Sequence, residues 1–258
     1  MEMNLKPIWE ASYRIYREMD AICQRHGLRL FAAYGTELGA MRHSGPIPWD
    51  DDFDTAMPRE DFEKFLEVAP RELPKWLKVV SYRNFKGYTN LFPKVVICDA
   101  EMLDDICKQS GLPAPEGVFV DIFPIDGYPS SRFWQICRYL CVSACRMFLG
   151  KTKWPIWNRI MEILCSRVPY ETAKRVAVWE GWSKVERDFL NRTRTWMTAN
   201  DFGQGKLVKF GAYEIRVPIN AETELTWLYD NWRRLPPPEL QTPDHTTTRQ
   251  PLRKWRLG

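Results

Sequence analysis

Residues 50–54 read Asp-Asp-Asp-Phe-Asp, and this run limits what the chain can fold into more than any other. Asp50, Asp52 and Asp54 occupy every second position, and on an extended backbone such side chains share one face. Phe53 and Thr55 fall between and beyond them, so the opposite face reads as buried. The stretch Asp52–Met57 is therefore expected to be a strand, acidic on one side and packed on the other. By the same parity Asp51 points away from the acidic face. Asp-rich turns often cap helices, and charge runs are usually solvated faces, but the buried alternate positions argue against both here. Three carboxylates on one face repel unless a cation lies between them, and hard oxygen ligands suit Mg²⁺ or Mn²⁺.

A fourth carboxylate, Asp121, sits in Val-Phe-Val-Asp-Ile-Phe-Pro, a strongly apolar run. A lone Asp in such a run needs a partner to offset its desolvation. If its strand neighbours the acidic one, Asp121 faces the same cation. A cluster of that kind suits phosphoryl-type transfer, in which metal ions stabilise the attacking and leaving oxygens. Gly35-Thr36, just upstream, can bring backbone and a helix N-terminus close to a phosphate. Arg42 and Lys94 could neutralise a pyrophosphate or simply pair with an Asp.

The rest of the pattern places these residues in a mixed fold. Residues 7–26 read as a helix with an apolar stripe, closed by Gly27. Leu28–Tyr34 is a short apolar strand. Thr36–Arg42 reads as a helix with Thr36 as N-cap, and another helix opens at Pro58. Three strands follow at Leu77–Tyr82, Phe92–Ile97 and Val118–Phe123, with a loop at Cys107–Gly117 between the last two. Residues 131–195 read as helical, Leu207–Val217 as β, and Glu222–Leu235 as a last helix stopped by three prolines. This is an α+β pattern with one mixed sheet. It divides into a core over 1–130, a basic helical insertion over 131–195, a part over 196–240 that completes the core, and a flexible basic tail over 241–258.

Composition narrows the function classes. Seven Cys without a CxxC, and only three His, leave no zinc motif of ordinary spacing. Cys137, Cys141 and Cys145 are spaced along one helical face and read as buried small residues. His43 and His245 are single histidines, more often structural than catalytic. Asp126, just before Gly127, suits a turn. The N-terminus lacks the pattern of a signal peptide, so a reducing cytosol with free thiols is expected. The longest apolar stretch, Phe133–Leu149, is interrupted by Arg138 and Arg146, so no membrane span is expected. Residues 131–193 carry 12 Lys/Arg against 5 Asp/Glu, while the remainder carries 25 against 28. The asymmetry fits an anionic partner, either a lipid surface or a phosphorylated substrate, and equally a solvated helix face. The 12 Trp read mostly as core, although aromatic platforms can also hold a sugar or a quaternary ammonium.

The stretch Tyr34-Gly-Thr-Glu-Leu-Gly-Ala-Met-Arg-His-Ser-Gly-Pro-Ile-Pro-Trp-Asp-Asp-Asp-Phe-Asp54 closely resembles the signature of the LicD family. So do Met57-Pro-Arg-Glu-Asp-Phe62, Phe119-Val-Asp-Ile-Phe-Pro-Ile-Asp-Gly127 and Leu235-Pro-Pro-Pro-Glu239. Asp230 follows Tyr229 where the family often has Tyr-Gly. The resemblance implies a nucleotidyltransferase fold like that of polymerase β. It implies transfer of a phospho-alcohol, typically phosphocholine from CDP-choline, to a glycan or glycolipid hydroxyl with release of CMP. By position, Gly35 and Thr36 would be the donor-phosphate turn, with Arg42 and Lys94 near it. Asp52 and Asp54 would be the metal-binding pair with Asp50 beside them, and Asp121 the third carboxylate, which could also act as general base. Trp49 is expected to pack rather than bind. No nucleic acid partner is expected. The alternatives are nucleotidyl transfer from a nucleoside triphosphate to a small hydroxylated acceptor, and a non-catalytic relative that binds nucleotide or glycan.

Overall fold

The computed structural model describes residues 4–85, 88, 90, 92–111, 117–131, 133–137, 140, 159, 160, 162, 163, 166–178 and 197–241. Its centre is a six-stranded mixed sheet of order β1-β2-β5-β4-β3, with β6 also paired to β5. The strands are β1 (Phe31–Ala32), β2 (Asp54–Pro58), β3 (Leu77–Val80), β4 (Lys94–Ile97), β5 (Phe119–Gly127) and β6 (Val176–Val178). β2 runs parallel to β5, and the other pairings are antiparallel. A separate hairpin, β7 (Lys206–Phe210) and β8 (Tyr213–Val217), stands beside β1. The fold is thus α+β with a mixed sheet, as its sequence pattern implies.

Strand parity sorts the two faces of this sheet. Phe53, Met57, Val95, Ile97, Val120 and Ile122 join one core with α1 (Lys6–His26), α3 (Arg59–Glu72) and α4 (Ala100–Ser110). α1 contributes Ile8, Ile15, Met19, Ile22 and Cys23 at helical spacing, and Gly27 closes it at φ +65°. α3 contributes Phe62, Phe65 and Ala69. The alternate residues Ala56, Phe123 and Ile125 join a second core with Phe31, Tyr170, Val176 and Phe202. Asp54 and Asp121 share the parity of this second group, so they sit on the sheet face turned away from α1, α3 and α4.

Several sequence expectations need correction. The first strand is confined to Phe31–Ala32, because the chain has already turned into α2 (Tyr34–His43). Asp52 and Phe53 precede β2 rather than begin it. α4 was not foreseen; Asp99 caps it by accepting the Met102 N–H at 3.0 Å, and it takes up the start of the loop assigned to Cys107–Gly117. Val176–Val178 lies in the block read as helical, yet it pairs with the end of β5. The last helix, α6 (Ala221–Tyr229), stops at Asp230 with φ +57° and does not run on to Leu235. A short helix α5 (Ala199–Phe202) precedes the hairpin. Most of residues 138–195, with Cys141 and Cys145, and the tail with His245 lie outside the described residues.

Asp126 is not a turn residue. It lies in β5, wholly buried, and accepts from Arg59 Nε at 2.8 Å and Nη2 at 2.7 Å. This two-pronged pair locks the start of α3 to the central strand.

Candidate active site

Register builds the site. Asp54 on β2 is the partner of Asp121 on β5, and Asp121 is the partner of Lys94 on β4. Adjacent strands lie about 4.8 Å apart, so Lys94, Asp121 and Asp54 form one row across the sheet. The condition attached to Asp121 by its sequence, that its strand neighbour the acidic one, is met. Lys94 Nζ lies 2.6 Å from Asp121 Oδ1 and 3.5 Å from the centre of the Phe119 ring. Lys94 is 8% exposed and Asp121 6%. Of the two roles open to Lys94, the one visible here is pairing with an Asp. A buried ammonium against an aromatic face and a carboxylate is satisfied on both counts.

Upstream of β2, residues 50–53 form an irregular loop at the end of this row. One carboxylate oxygen from each of Asp50, Asp51 and Asp52 lies within 4.8 Å of the others. The parity argument that set Asp51 aside fails because parity holds only on extended backbone. Asp51 is the buried member, while Asp50 and Asp52 are half-buried. Two carboxylates at that spacing repel by about 3 kcal/mol at an effective dielectric near 20. Among the described residues these three carboxylates are a set that fits a hard divalent ion: three oxygen donors from three consecutive residues, close enough to share it.

Distant parts of the chain hold this loop. Trp9 on α1 donates its indole N–H to the Asp50 carbonyl at 2.7 Å, and the Asp50 N–H donates to Ile47 O at 2.9 Å. Phe53 points the other way, against Tyr16 and Phe210. The Asp50 side chain lies close against Gly35: a Cβ there would lie 2.4 Å from Asp50 Oδ2, so the carboxylate would have to shift. The negative group that meets the start of α2 in this structure is therefore the Asp50 carboxylate, a favourable place for it. Trp9, Gly35, Thr36, Ile47, Asp50 and Asp52 line a small pocket at this point.

Thr36 is not an N-cap; that position belongs to Ala33. Its hydroxyl instead accepts the Asp54 N–H at 2.8 Å and so ties α2 to the first residue of β2. The Thr55 hydroxyl donates to Asp121 O at 2.6 Å, a second tie between the two acidic strands. Tyr34, immediately before Gly35, holds φ +47°, a strained setting for a bulky residue. Arg42 donates to the Trp232 carbonyl at 3.0 Å, which joins α2 to the segment after α6. His43 meets the Trp49 ring edge-on, with its pKa lowered by burial and then by Arg42. Trp49 packs as expected, against the cluster of Leu38, Ile47, Leu225 and Trp232.

Three residues near the site were missed from the sequence. Glu37 on α2 and Glu224 on α6 are almost fully buried, 0% and 3% exposed. Burial, and then the charge of Glu224, raises the pKa of Glu37 well above the usual range. Burial, and then Asp201, raises that of Glu224 to about 8. Tyr229, at the end of α6, has its pKa raised by burial and then by the charges of Asp54, Glu37 and Asp50. The signal for Glu37 was available: it stands beside Leu38 and Ala40 on a short helix with little polar surface.

Residues 27–135 match the family model described as LicD/FKTN/FKRP, nucleotidyltransferase domain. The lipopolysaccharide cholinephosphotransferase LicD of Haemophilus influenzae is 25% identical over 87% of this chain and 89% of its own length. An uncharacterized protein of Rickettsia typhi is 24% identical over 49% of this chain and 38% of its own length. One of Rickettsia prowazekii is 30% identical over 23% and 22% respectively. No solved structure matches the chain. The matched stretch contains α2, the acidic loop, β2, β4 and nearly all the site just described. The chain carries a LicD-family domain, which spans residues 27–135.

Proposed function

We propose that this protein transfers phosphocholine from CDP-choline to a hydroxyl of a lipopolysaccharide-type glycan or glycolipid and releases CMP. The fold reading that goes with it is that of a nucleotidyltransferase like polymerase β, working at the cytoplasmic side of the membrane. The observation that carries the proposal is the cluster of Asp50, Asp51 and Asp52, whose first member lies against Gly35 at the start of α2, directly upstream of the paired Asp54 and Asp121. Similarity along most of the chain to a protein named for phosphocholine transfer to lipopolysaccharide supports the transferred group and the acceptor class.

In this reading the chemistry is in-line displacement. The acceptor oxygen forms a bond to the choline-bearing phosphorus, and the bond from that phosphorus to the CMP oxygen breaks. CMP leaves with the bonding pair, and the hydroxyl proton passes to a carboxylate of the site. Asp50, Asp51, Asp52 and Asp54 would hold Mg²⁺ or Mn²⁺, with Asp121 beside them; the ion, when bound, supplies Lewis-acid relief of phosphate charge. Lys94 pairs with Asp121 within the sheet and fixes its direction. Thr36 ties α2 to β2 and Thr55 ties β2 to β5, so that Asp54 and Asp121 are held in place without reorganising. Gly35, Thr36 and Arg42 remain the proposed donor-phosphate side.

The test is CMP release from CDP-choline with Mg²⁺ and extracted lipopolysaccharide, run beside CDP-ethanolamine, CDP-ribitol and CDP-glycerol. Turnover is expected with CDP-choline and is expected to fall by roughly 10²–10³-fold or more in Asp52→Ala. No CMP from any CDP-alcohol, or pyrophosphate from a nucleoside triphosphate instead, overturns the proposal.

A further inference from the structure

The segment after β5 has its polarity inside out. Residues 133–137 are helical, and Phe133, Ile136 and Leu140 recur at i, i+3 and i+7. On a helix that folds against a protein such a stripe faces the core. Here Phe133 is 66% exposed, Trp134 54%, Ile136 42% and Leu140 59%. The side that faces the protein is polar: Gln135 is 6% exposed and donates to Pro129 O at 2.7 Å. The helical residues 159, 160, 162 and 163 repeat the arrangement. Glu162 is 9% exposed and pairs inward with Arg83, Tyr82 and Arg59. Ile160 and Ile163 face out.

The charge of the same stretch selects an occupant. From Gly127 to Met161 there is no Asp or Glu, while Arg132, Arg138, Arg146, Lys151, Lys153 and Arg159 supply six cations. Trp134, Trp154 and Trp157 are interspersed with them. Exposed apolar side chains with aromatic rings, in a stretch of sequence rich in basic residues and without acidic ones, are the composition of an interfacial lipid contact. A protein partner would normally present some charge to meet; an anionic leaflet meets this one with phosphate headgroups alone.

We infer that Phe133, Trp134, Ile136 and Leu140, with Ile160 and Ile163, form a surface that docks on an anionic lipid bilayer. No described helix is long and apolar enough to cross a membrane, so this is contact with one leaflet, and residues buried in it lie in the interfacial layer. The inference stands apart from the transferase reading, because lipid binding is measured without turnover.

The experiment is co-sedimentation of the full chain with vesicles of phosphatidylglycerol and phosphatidylcholine, against vesicles of phosphatidylcholine alone, at low and high salt. Binding is expected to the anionic vesicles and to weaken as salt rises. The variant Phe133→Ser/Trp134→Ser/Ile136→Ser is expected to lose about tenfold or more in partitioning, with unchanged far-ultraviolet circular dichroism. Should that variant fail to fold, Ile160→Ser/Ile163→Ser supplies the same comparison from the second exposed group. Failure of the unaltered chain to bind anionic vesicles overturns the inference. So does equal binding by a folded variant, or a variant that only dissociates an oligomer in light scattering, which would make the face a contact between copies.

Discussion

Replacing Gly35 by alanine tests whether the start of α2 serves the acidic loop. The new Cβ would stand 2.4 Å from Asp50 Oδ2 and 3.4 Å from its Cγ. Ordinary contact is about 3.5 Å or more, so the carboxylate must move by roughly an ångström. The Asp50 backbone cannot follow easily, since Trp9 holds its carbonyl and Ile47 its N–H. The side chain must therefore rotate away from Gly35, which changes its placement beside Asp51 and Asp52. Gly35 has no left-handed backbone angle, and alanine is favoured over glycine in a helix by about 0.5–1 kcal/mol. Overpacking costs about 1–3 kcal/mol, so the net loss of stability is expected to be small, about 0–2 kcal/mol. The functional effect should be larger. Displacing a group that shapes a metal site typically weakens metal affinity by about 10–100-fold, read as the Mg²⁺ concentration giving half-maximal CMP release. Gly35→Ala combined with Asp50→Asn should then be little worse than Asp50→Asn alone, because both act through the same carboxylate. A Gly35→Ala protein with unchanged Mg²⁺ dependence and turnover would refute the reasoning. Full additivity in the double variant would refute it equally.

Two further outcomes follow from buried charge. Arg59→Met leaves the Asp126 carboxylate buried without its two-pronged partner, a loss of about 3–5 kcal/mol by urea unfolding, most of it recovered in Arg59→Met/Asp126→Leu; a loss below about 1 kcal/mol contradicts this account. Glu224, raised by burial from 4.5 to about 8, binds a proton in the folded chain that the unfolded chain releases. Its contribution to stability is present below about pH 4.5 and is lost as pH rises through about 8, at about 1.4 kcal/mol per unit. Glu224→Gln should therefore change unfolding free energy little near pH 5 and raise it by a few kcal/mol near pH 9; equal effects at both pH values would show that Glu224 is ionised in the fold.

What the sequence revealed and what it hid divide along one physical line. Asp54, Asp121 and Lys94 were legible because each lies in a short apolar run that could only be a strand, and strand parity then fixes their common face. Asp51 was misread because the same rule was carried three residues ahead of the start of β2, into a loop whose path is set by contacts with distant parts of the chain. That path is set by an indole 41 residues upstream, by a glycine in α2 and by a phenylalanine packed under the hairpin. Thr36 was misassigned for a related reason: a hydroxyl at a helix start suits a cap, but Asp54, 18 residues on, offers an N–H that needs a partner more. α4 and β6 were missed where local signals are weak and tertiary pairing decides, as when Val176–Val178 finds the free end of β5. Residues that would bear chemistry declare themselves through the cost of burying charge, which is local and severe. Residues that aim them are ordinary side chains whose role exists only in contact, and this is why Trp9 and Gly35 are the better targets for testing the site as folded.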